Sequence, residues 1–350
     1  MERLTIHDIA RAAGVSITAV SFALNDRPGI STATRERILK IAHQSGWIPH
    51  PMAQALSHAR AESVGFVIAR TLESYASERF FFAFLLGLES QLTAAGLSLV
   101  LQTCTTMEQE LEIYRKWSGQ RRVDGVVITD PIADDPRAAL LRELKLPGVF
   151  VGEETAGFPS LVTDETGLIA TLASHLHNHG ATQVIYVGGN EKLLHTKRRQ
   201  EALERYGQDY DLDIRIVICA NSTESEGYAA TRELLSPSRE LPAIIYDNEV
   251  LAVGGVKACH ELGVSIGQEA LLASCEDSPI CKVVSPNITA VSRDPSLYAI
   301  TAAKLLEEYL TGSIPRSCTC DVSQLVPRES STGVSANTPR KPTNWGITTR

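Results

Sequence analysis

Two short helices joined by a tight turn are predicted at the start of the chain. Apolar residues fall on one face of each helix, and Gly14 stands between them, where the turn requires a positive φ. Thr5 and Asp8 have the spacing of a capping box. A third helix is predicted to follow Ser31, a favourable N-cap, and to run to Gly46. This arrangement is typical of an all-α helix-turn-helix headpiece, whose second helix lies in the major groove of DNA. A helical hairpin that serves only for packing is the alternative.

From Ser63 onward, short apolar runs alternate with segments of helical periodicity. The continuous run 64–68 is typical of a strand buried on both faces. Alternating strands and helices predict an α/β fold, and there are enough elements for two parallel sheets with a boundary near residues 155–162. Strands are predicted at 64–68, 97–101, 125–128, 148–151, 184–187, 214–218, 243–246 and 270–275, and helices at 80–95, 107–118, 166–179, 196–206, 224–235 and 250–262.

The two predicted parts are joined by residues 49–60. Pro51 fits the first position of a short helix there. Because so short a helix is unstable alone, we expect it to be ordered only on DNA or across a dimer. The chain thus divides into a headpiece at 1–48, a hinge and linker at 49–60, and a body at 61–329. The polar segment 330–350, rich in Pro, Thr and Asn, is predicted to be a disordered tail.

The charge distribution separates the same two parts. The 350 residues carry a net charge of −8, which is unexpected for a DNA-binding protein. Residues 1–60 hold seven Arg or Lys and four Asp or Glu, for a charge of +3, whereas the rest holds 26 basic and 37 acidic residues, for −11. Positive charge is confined to the end that would meet phosphate, and the acidic remainder should weaken nonspecific adhesion to DNA.

Several other classes of protein are disfavoured. No apolar run reaches the ~20 residues that span a bilayer, and the first residues lack the apolar segment of a secretory signal, so we expect a cytoplasmic protein. The seven cysteines are predicted to be reduced thiols, because they lack the paired spacing of a zinc site. GxGxxG after a strand, HExxH and GxSxG are absent, and neither catalytic residues nor a metal or cofactor are predicted. His175, His177 and His179 are interpreted as surface residues near a helix end.

Three sequence blocks near the amino terminus carry a resemblance to a known family. They are TIHDIARAAGVSITAVSFALN (5–25), STATRERI (31–38) and WIPHPMAQAL (47–56), with weaker similarity in VDGVVI (123–128), DNEVLAVGGVKACHELGV (247–264), SPNITAV (285–291) and LVPRESST (325–332). In this order and spacing they resemble the LacI/GalR family of bacterial transcriptional regulators, over about residues 4–333. The resemblance implies a DNA-binding headpiece, a hinge helix and a two-lobed body like a periplasmic sugar-binding protein.

The family organisation also implies boundaries and partners. An N-lobe would comprise residues 61–160 and 291–329 and a C-lobe residues 161–290, with an effector cleft between them. The implied partners are a second copy of the chain, as a homodimer or tetramer, a near-palindromic double-stranded DNA operator, and a small-molecule effector, by family precedent a carbohydrate. Effector binding would change operator affinity, and a repressor is favoured over an activator. A solute-binding protein that carries a ligand without regulating DNA is the alternative.

The resemblance assigns DNA contacts residue by residue. Ile17, Thr18 and Phe22 occupy positions that meet base edges. The family usually has Arg where Phe22 stands, so the bidentate bond to guanine cannot form; Phe22 either contacts a thymine methyl group or packs against the headpiece. Leu56 is expected to wedge between base pairs in the minor groove, unless it packs against the body. Ala53 and Gln54 would flank Leu56. The residues expected to contact the DNA backbone, unless they serve only in capping and solvation, are Ser16, Ser21, Asn25, Ser31 and Arg35. Thr5 completes the predicted set.

Effector clefts in such folds lie at the carboxyl ends of strands, between lobes. Phe80 and Phe81 are predicted to offer aromatic surfaces to a sugar ring, although one of them could equally be core. Asn248 and either Glu276 or Asp277 would bind hydroxyl groups. A family arginine aligns with His195, which is followed by the basic run 197–199. The predicted effector-binding residues are therefore Phe80, Phe81, His195, Asn248 and Glu276.

Overall fold

The computed structural model describes residues 5–24, 27–45, 47, 60–70, 79–235, 241–320 and 323–332. The predictions made for Asn25, Ala53, Gln54 and Leu56, and for the tail beyond residue 332, lie outside the described residues. None of the helices in the described ranges is both long enough and apolar enough to cross a membrane.

The headpiece consists of three helices, as its periodicity predicts. Both the backbone N–H and the hydroxyl of Thr5 donate to Asp8 Oδ2, at 2.9 and 2.7 Å, so the predicted capping box is confirmed. Gly14 ends the first helix with φ of 64°. The hydroxyl oxygen of Ser31 accepts from the Thr34 N–H at 3.2 Å and caps the third helix. The helices are α1 (Ile6–Ala13), α2 (Ile17–Leu24) and α3 (Thr32–Gln44).

One small core joins the three headpiece helices. Small side chains let α1 and α2 approach closely, and α3 covers the open side with Ile38, which is fully buried. The buried residues of this core are Ile9, Ala10, Ala13, Val20, Ala23 and Ile38.

The body contains two lobes, each built on a six-stranded sheet. The first part of the N-lobe comprises β1 (Ser63–Ala69), α4 (Arg79–Ala94), β2 (Ser98–Cys104), α5 (Met107–Gly119), β3 (Gly125–Ile128), α6 (Pro136–Leu144), β4 (Gly148–Gly152) and β5 (Ser160–Val162). The C-lobe follows with α7 (Glu165–Asn178), β6 (Gln183–Gly188), α8 (Leu194–Tyr210), β7 (Asp213–Ile218), α9 (Glu224–Leu234), β8 (Pro242–Tyr246), α10 (Glu249–Leu262), β9 (Leu271–Ser274), a 3₁₀ turn (Pro279–Lys282) and β10 (Thr289–Ser292). The last elements are α11 (Pro295–Leu310), β11 (Cys318–Thr319), β12 (Gln324–Val326) and α12 (Glu329–Thr332).

The two sheets repeat one strand order. The N-lobe sheet has the order β11-β5-β4-β3-β1-β2 and the C-lobe sheet the order β12-β10-β9-β8-β6-β7. All pairs are parallel except β12, which runs antiparallel to β10. Helices cover the sheets on both faces, so the central strands are fully apolar, as the run 64–68 predicts.

The chain crosses between the lobes three times, which corrects the predicted boundaries near the carboxyl end. The segment 323–329 was assigned to the N-lobe, but β12 pairs with β10 in the C-lobe sheet. The predicted tail began at residue 330, yet Ser330 and Ser331 are buried in α12. Their hydroxyls bond the C-lobe, because Ser330 donates to the Leu272 carbonyl at 2.6 Å and Ser331 lies 2.6 Å from Thr289 Oγ1.

The three histidines of α7 differ in exposure. His179 is exposed, in agreement with the sequence interpretation, whereas His175 and His177 are half-buried. His175 Nε2 lies 2.7 Å from the Ser331 hydroxyl, so α12 covers this part of α7.

Candidate functional site

The first turn of α2 is the exposed part of the headpiece's second helix. Ser16, Ile17 and Thr18 are exposed, whereas Val20 and Ala23 are buried on the opposite face. Ile17 is 41% exposed although it is large and apolar. The structure thus presents two side chains that were predicted to meet base edges, Ile17 and Thr18, at the start of a solvent-facing helix.

Phe22 lies in a different environment. Its side chain is half-buried, and a Cβ atom on Gly29 would come within 2.9 Å of its ring carbon Cε2. The ring therefore lies against Gly29 in the loop that connects α2 to α3. Of the two interpretations left open by the sequence, this geometry favours packing of Phe22 within the headpiece over contact with a thymine methyl group.

The polar residues predicted to contact the DNA backbone also hold the headpiece together. The Ser16 hydroxyl accepts from the Ala19 N–H at 3.1 Å, at the start of α2. The Arg35 guanidinium donates to the Arg27 carbonyl at 2.6 Å. Ser31 caps α3, Thr5 belongs to the capping box, and Ser21 is half-buried. The Ser16 and Ser31 hydroxyls accept their capping bonds and still have a hydrogen to donate to a phosphate oxygen, so in these two residues the roles are compatible. The Thr5 hydroxyl already donates to Asp8.

A cleft of about 840 Å³ lies between the two lobes of the body. It opens at the carboxyl ends of the parallel strands of both sheets, so the loops that follow these strands line the cleft. The lining includes residues 129–132 from the N-lobe, residues 247–249 from the C-lobe, and residues 163–165 and 292–296 from two of the crossing segments. All five predicted effector-binding residues line this cleft.

Two arginines and three carboxylates form a charge network on the C-lobe side. Arg199 of α8 donates to Glu165 and Asp247, in each case at 2.6 Å. Arg293, which follows β10, donates to Glu165 at 2.6 Å and also bonds Glu276. These residues come from five separate places in the sequence, and the fold brings them together.

The two arginines favour the ionised form of two carboxylates in this network, Glu165 and Asp247. Burial by itself raises the pKa of Glu165, but Arg199 and Arg293 outweigh burial and leave that pKa below its ordinary value. Burial acts in the same way on Asp247, and Arg199 is the main group that lowers its pKa. Glu165 and Asp247 therefore act as fixed negative charges in the cleft near neutral pH.

Asp247 connects the network to the floor of the cleft. Its Oδ1 atom accepts from the buried Tyr186 hydroxyl as well as from Arg199. Its Oδ2 atom points to Gly189, where an added Cβ atom would lie 2.7 Å from Oδ2 and 2.6 Å from the Ser222 hydroxyl. The absence of a side chain at position 189 therefore leaves room for Asp247 and Ser222 side by side.

His195 and Arg199 lie one helical turn apart on α8. Burial and the charge of Arg199 lower the pKa of His195, while Asp247, Asp130 and Glu165 act in the opposite direction. The family resemblance placed an arginine at His195, but the arginine of α8 that is buried in the cleft is Arg199. The spacing of four residues was the signal that could have identified it, because positions i and i+4 share a helix face.

The N-lobe side of the cleft combines an ion pair with aromatic rings. Arg70 bonds Asp130 at 2.7 Å, and its guanidinium lies 4.8 Å from the centre of the Phe81 ring. Phe81 is 5% exposed and belongs to the core, whereas Phe80 is half-buried and stacks on Phe84. Phe80 is thus the more accessible of the two predicted aromatic surfaces.

Asn248 has a structural role in addition to its place in the cleft. Its Oδ1 atom accepts from the Leu251 N–H at 3.0 Å and caps α10. The cap uses the amide oxygen, so the Nδ2 group is the part of this side chain that can donate to a ligand.

The two lobes also touch directly. The Leu194 N–H, at the start of α8, donates to the Pro131 carbonyl at 3.0 Å. Arg198 of the same helix donates to Glu153 of the N-lobe at 3.1 Å. Any change in the angle between the lobes must therefore alter contacts at the amino end of α8, next to His195 and Arg199.

A helix-turn-helix headpiece joined to a two-lobed body with a cleft defines a class of DNA-binding regulators. Residues 5–50 match the family model for bacterial regulatory proteins of the lacI family, and residues 173–331 match that of a periplasmic binding protein-like domain. The chain therefore carries a LacI-family DNA-binding domain followed by a periplasmic binding protein-like domain, and it is a DNA-binding transcriptional regulator.

Curated relatives of similar length support this assignment. The HTH-type transcriptional regulator AglR of Rhizobium meliloti is 29% identical over 307 residues, which cover 85% of each protein. The HTH-type transcriptional regulator CelR of Thermobifida fusca is 25% identical over 320 residues, which cover 89% of this chain and 93% of that protein. Such proteins are regulators, so the family identity supports the prediction that the chain is not an enzyme and disfavours the solute-carrier alternative.

Solved structures share the fold over nearly the whole chain. The Lac repressor dimer bound to operator and the anti-inducer ONPF superposes with a TM-score of 0.79 at 20% identity, covering 94% of this chain and 99% of that one. The CelR–cellobiose complex gives a TM-score of 0.71 at 22% identity, covering 94% and 100%. The predicted architecture of a headpiece and a two-lobed α/β body is confirmed.

Proposed function

We propose that the protein is a homodimeric repressor in the cytoplasm whose affinity for a near-palindromic operator is set by a carbohydrate bound in the interlobe cleft. The observation that carries this proposal is the charge network of Arg199, Arg293, Glu165, Asp247 and Glu276. It lies in the cleft, and two of its members stand beside crossing segments between the lobes. A ligand that bonds this network is therefore in a position to change the angle between the lobes.

A carbohydrate suits the size and chemistry of the cleft. The volume of about 840 Å³ lies within the usual range for small-molecule sites and exceeds what a single sugar ring requires. Phe80 offers an aromatic face, and the carboxylates and Asn248 offer fixed partners for hydroxyl groups. The fold neighbour CelR was solved with cellobiose, and we extend that ligand class, a small saccharide, to this chain.

On the DNA side, Ile17 and Thr18 are proposed to read base edges in the major groove. The hydroxyls of Ser16 and Ser31 and the guanidinium of Arg35 are proposed to position the helix on phosphates. Leu56, outside the described residues, is proposed to enter the minor groove on the basis of the family resemblance alone.

Exposed apolar residues on helix α4 of the N-lobe support self-association of the chain. Phe82 and Leu86 lie one turn apart on α4 and are 63% and 52% exposed. Exposed large apolar residues at this spacing form a stripe typical of a helix that packs against another surface. We propose that the second copy of the chain covers this stripe.

Binding-site selection from random duplexes, followed by fluorescence anisotropy with full-length protein, tests the proposal. We expect one near-palindromic consensus, and a member of a mono- and disaccharide panel should change operator affinity by roughly 5- to 150-fold. Asn248→Asp, which keeps the cap acceptor but removes the Nδ2 donor, should reduce the sugar response and leave operator affinity without sugar intact. The exposed control Glu204→Gln should behave as the wild type does.

Two outcomes would contradict this function. Binding without preference over bulk competitor DNA at moderate salt would exclude an operator-specific regulator. A consensus operator whose affinity no saccharide alters would exclude the carbohydrate effector.

A further inference from the structure

The ionic groups that line the cleft are unevenly distributed. Among the described lining residues, ten are Asp or Glu and six are Lys or Arg. Such an excess of carboxylates produces a negative potential inside a concave, partly dehydrated site. The excess alone does not decide the ligand's charge, because an arginine aimed into a cleft can still bind an anion.

The arginines of the cleft are all bound to carboxylates of the chain. Arg199 and Arg293 share Glu165, and Arg70 bonds Asp130 at 2.7 Å. Arg137 is bound by Glu110 at 3.1 Å and by Asp135 at 2.7 Å. An anionic ligand would have to compete with these carboxylates for each guanidinium.

The lysines do not change this balance. Lys192 and Lys282 are the two lysines among the described lining residues, and both are exposed at the rim. Water and salt screen a charge at such a position, so neither lysine offsets the carboxylates of the interior.

The N-termini of several helices around the cleft also have partners or acidic residues of the chain itself. A helix N-terminus ordinarily attracts anions, because its first N–H groups lack partners. Here the Leu194 N–H of α8 donates to the Pro131 carbonyl. Five further helices carry the chain's own acids in their cap or first turn: Glu108 and Glu110 on α5, Asp135 on α6, Asp164 and Glu165 on α7, Glu249 on α10 and Asp294 on α11. Helix α4, which brings Phe80 and Phe81 to the cleft, has no acid in its first turn.

Two buried lining atoms lack hydrogen-bond partners. They are Asp277 Oδ1, an acceptor, and Arg293 Nε, a donor. A hydroxyl group can satisfy either atom because it both donates and accepts, whereas a phosphate or carboxylate oxygen only accepts. An anionic oxygen could accept from Arg293 Nε but could not donate to Asp277 Oδ1, so Asp277 Oδ1 is the atom that favours a hydroxyl group over an anion.

We infer that the effector carries no negative charge: the cleft takes a neutral or amine-bearing polyol and rejects sugar phosphates and sugar acids. This inference rests on the proposed function, since it concerns the occupant of the same cleft. Asp247 Oδ2, which lies beside Ser222 and Gly189 in the lining of the cleft, is one carboxylate oxygen proposed to accept from a hydroxyl or ammonium group.

Isothermal titration of full-length protein with matched ligands tests the inference. The series is glucose, glucosamine, glucose 6-phosphate and glucuronate, together with cellobiose, maltose and trehalose and the 6-phosphate of trehalose. We expect the neutral or amine member of a matched set to bind roughly 100-fold more tightly than its anionic counterpart. An anionic member that binds as tightly as its neutral counterpart, or more tightly, overturns the inference and leaves the carbohydrate effector standing. A series in which nothing binds overturns the proposed effector class, and the inference with it.

Variants of the cleft carboxylates test whether these residues cause the preference for neutral over anionic ligands. Glu276→Gln removes one negative charge at nearly constant shape and should narrow the difference between neutral and anionic ligands by about tenfold. Asp247→Asn should act in the same direction and serves as the second variant if Glu276→Gln does not fold, as judged by circular dichroism. Glu204→Gln makes the same charge change on the exposed face of α8 and should leave the ratio unchanged. An unchanged ratio in both folded cleft variants would overturn the inference.

Discussion

The headpiece and the interlobe cleft use polar side chains in opposite ways. In the headpiece, polar side chains bond partners three to eight residues away, as in Thr5 with Asp8 and Arg35 with Arg27. In the cleft, Arg199 and Arg293 bond Glu165 across 34 and 128 residues. The headpiece surface is therefore specified locally and left open to solvent, whereas the cleft is assembled by the fold and bonded to itself. The headpiece surface is therefore suited to contact DNA, and the cleft is suited to change its internal contacts when a ligand binds.

Arg199→Met should have the largest effect on the cleft side of this comparison. It leaves Glu165 and Asp247 buried without their main cation, and breaking a buried pair costs about 3–5 kcal/mol. Urea denaturation followed by circular dichroism should show this loss in the free energy of unfolding. The matched control is Arg198→Met, whose side chain is 50% exposed and bonds Glu153, and it should cost less than about 1 kcal/mol. Equal losses in the two variants would show that the network does not stabilise the body.

Acid should destabilise the body in two stages. Burial lowers the pKa of His175 and His195, so these groups remain neutral when the unfolded chain binds protons, and stability falls as the pH drops below about 6.5. The carboxyls of Asp130, Glu165 and Asp247 have lowered pKa values because nearby arginines outweigh burial. Their contribution is present above about pH 4 and is lost as the pH falls through the lower folded-state values. Thermal midpoints measured from pH 8 to pH 3 should show a shallow decline and then a steep one; midpoints that rise on acidification would contradict the lowered pKa values.

The headpiece could be predicted closely from the sequence because its signals are local. The Thr5–Asp8 spacing, Gly14 and Ser31 each act within one turn, and α3 ends two residues before the predicted Gly46. In the body, strand β3 was predicted with its observed limits, since a continuous apolar run needs no distant partner to be recognised.

Several short elements of the body were missed. Helix α6 has nine residues and was not predicted, although Asp135 and Pro136 supply a cap and a first-turn proline. Strands β5 and β12 have three residues each, too few to show a period. The same limit applies to the cleft: the sequence points to Asn248 and Glu276 through resemblance, but it gives no sign that Asp247 bonds Arg199.

Gly14→Ala should have a smaller effect, confined to the headpiece. Nothing lies within 4 Å of an added Cβ at this position, so the cost comes only from its φ of 64°, and we expect about 1–2 kcal/mol. Gly119→Ala is the matched control because it has equal space and no positive φ, and it should be neutral or slightly stabilising. Amide hydrogen exchange in α1 and α2 should report the difference; equal exchange rates in both variants would show that the turn does not require glycine.

The smallest change in stability, within about 0.5 kcal/mol, is expected for Ile17→Ala, because this side chain is already 41% exposed. Its effect should instead appear in the operator sequences recovered by binding-site selection, where one position of each half-site should lose its preference. Leu39→Ala on α3 is the matched control, since Leu39 is 43% exposed but lies outside the recognition helix, and its consensus should equal that of the wild type. If Ile17→Ala also returned the wild-type consensus, base selection would have to reside in Thr18 or Phe22. If Phe22 reads bases, the DNA-reading surface includes a ring that lies against Gly29. The headpiece would then resemble the cleft in using side chains that already pack within the protein, and the contrast between the two regions would be smaller.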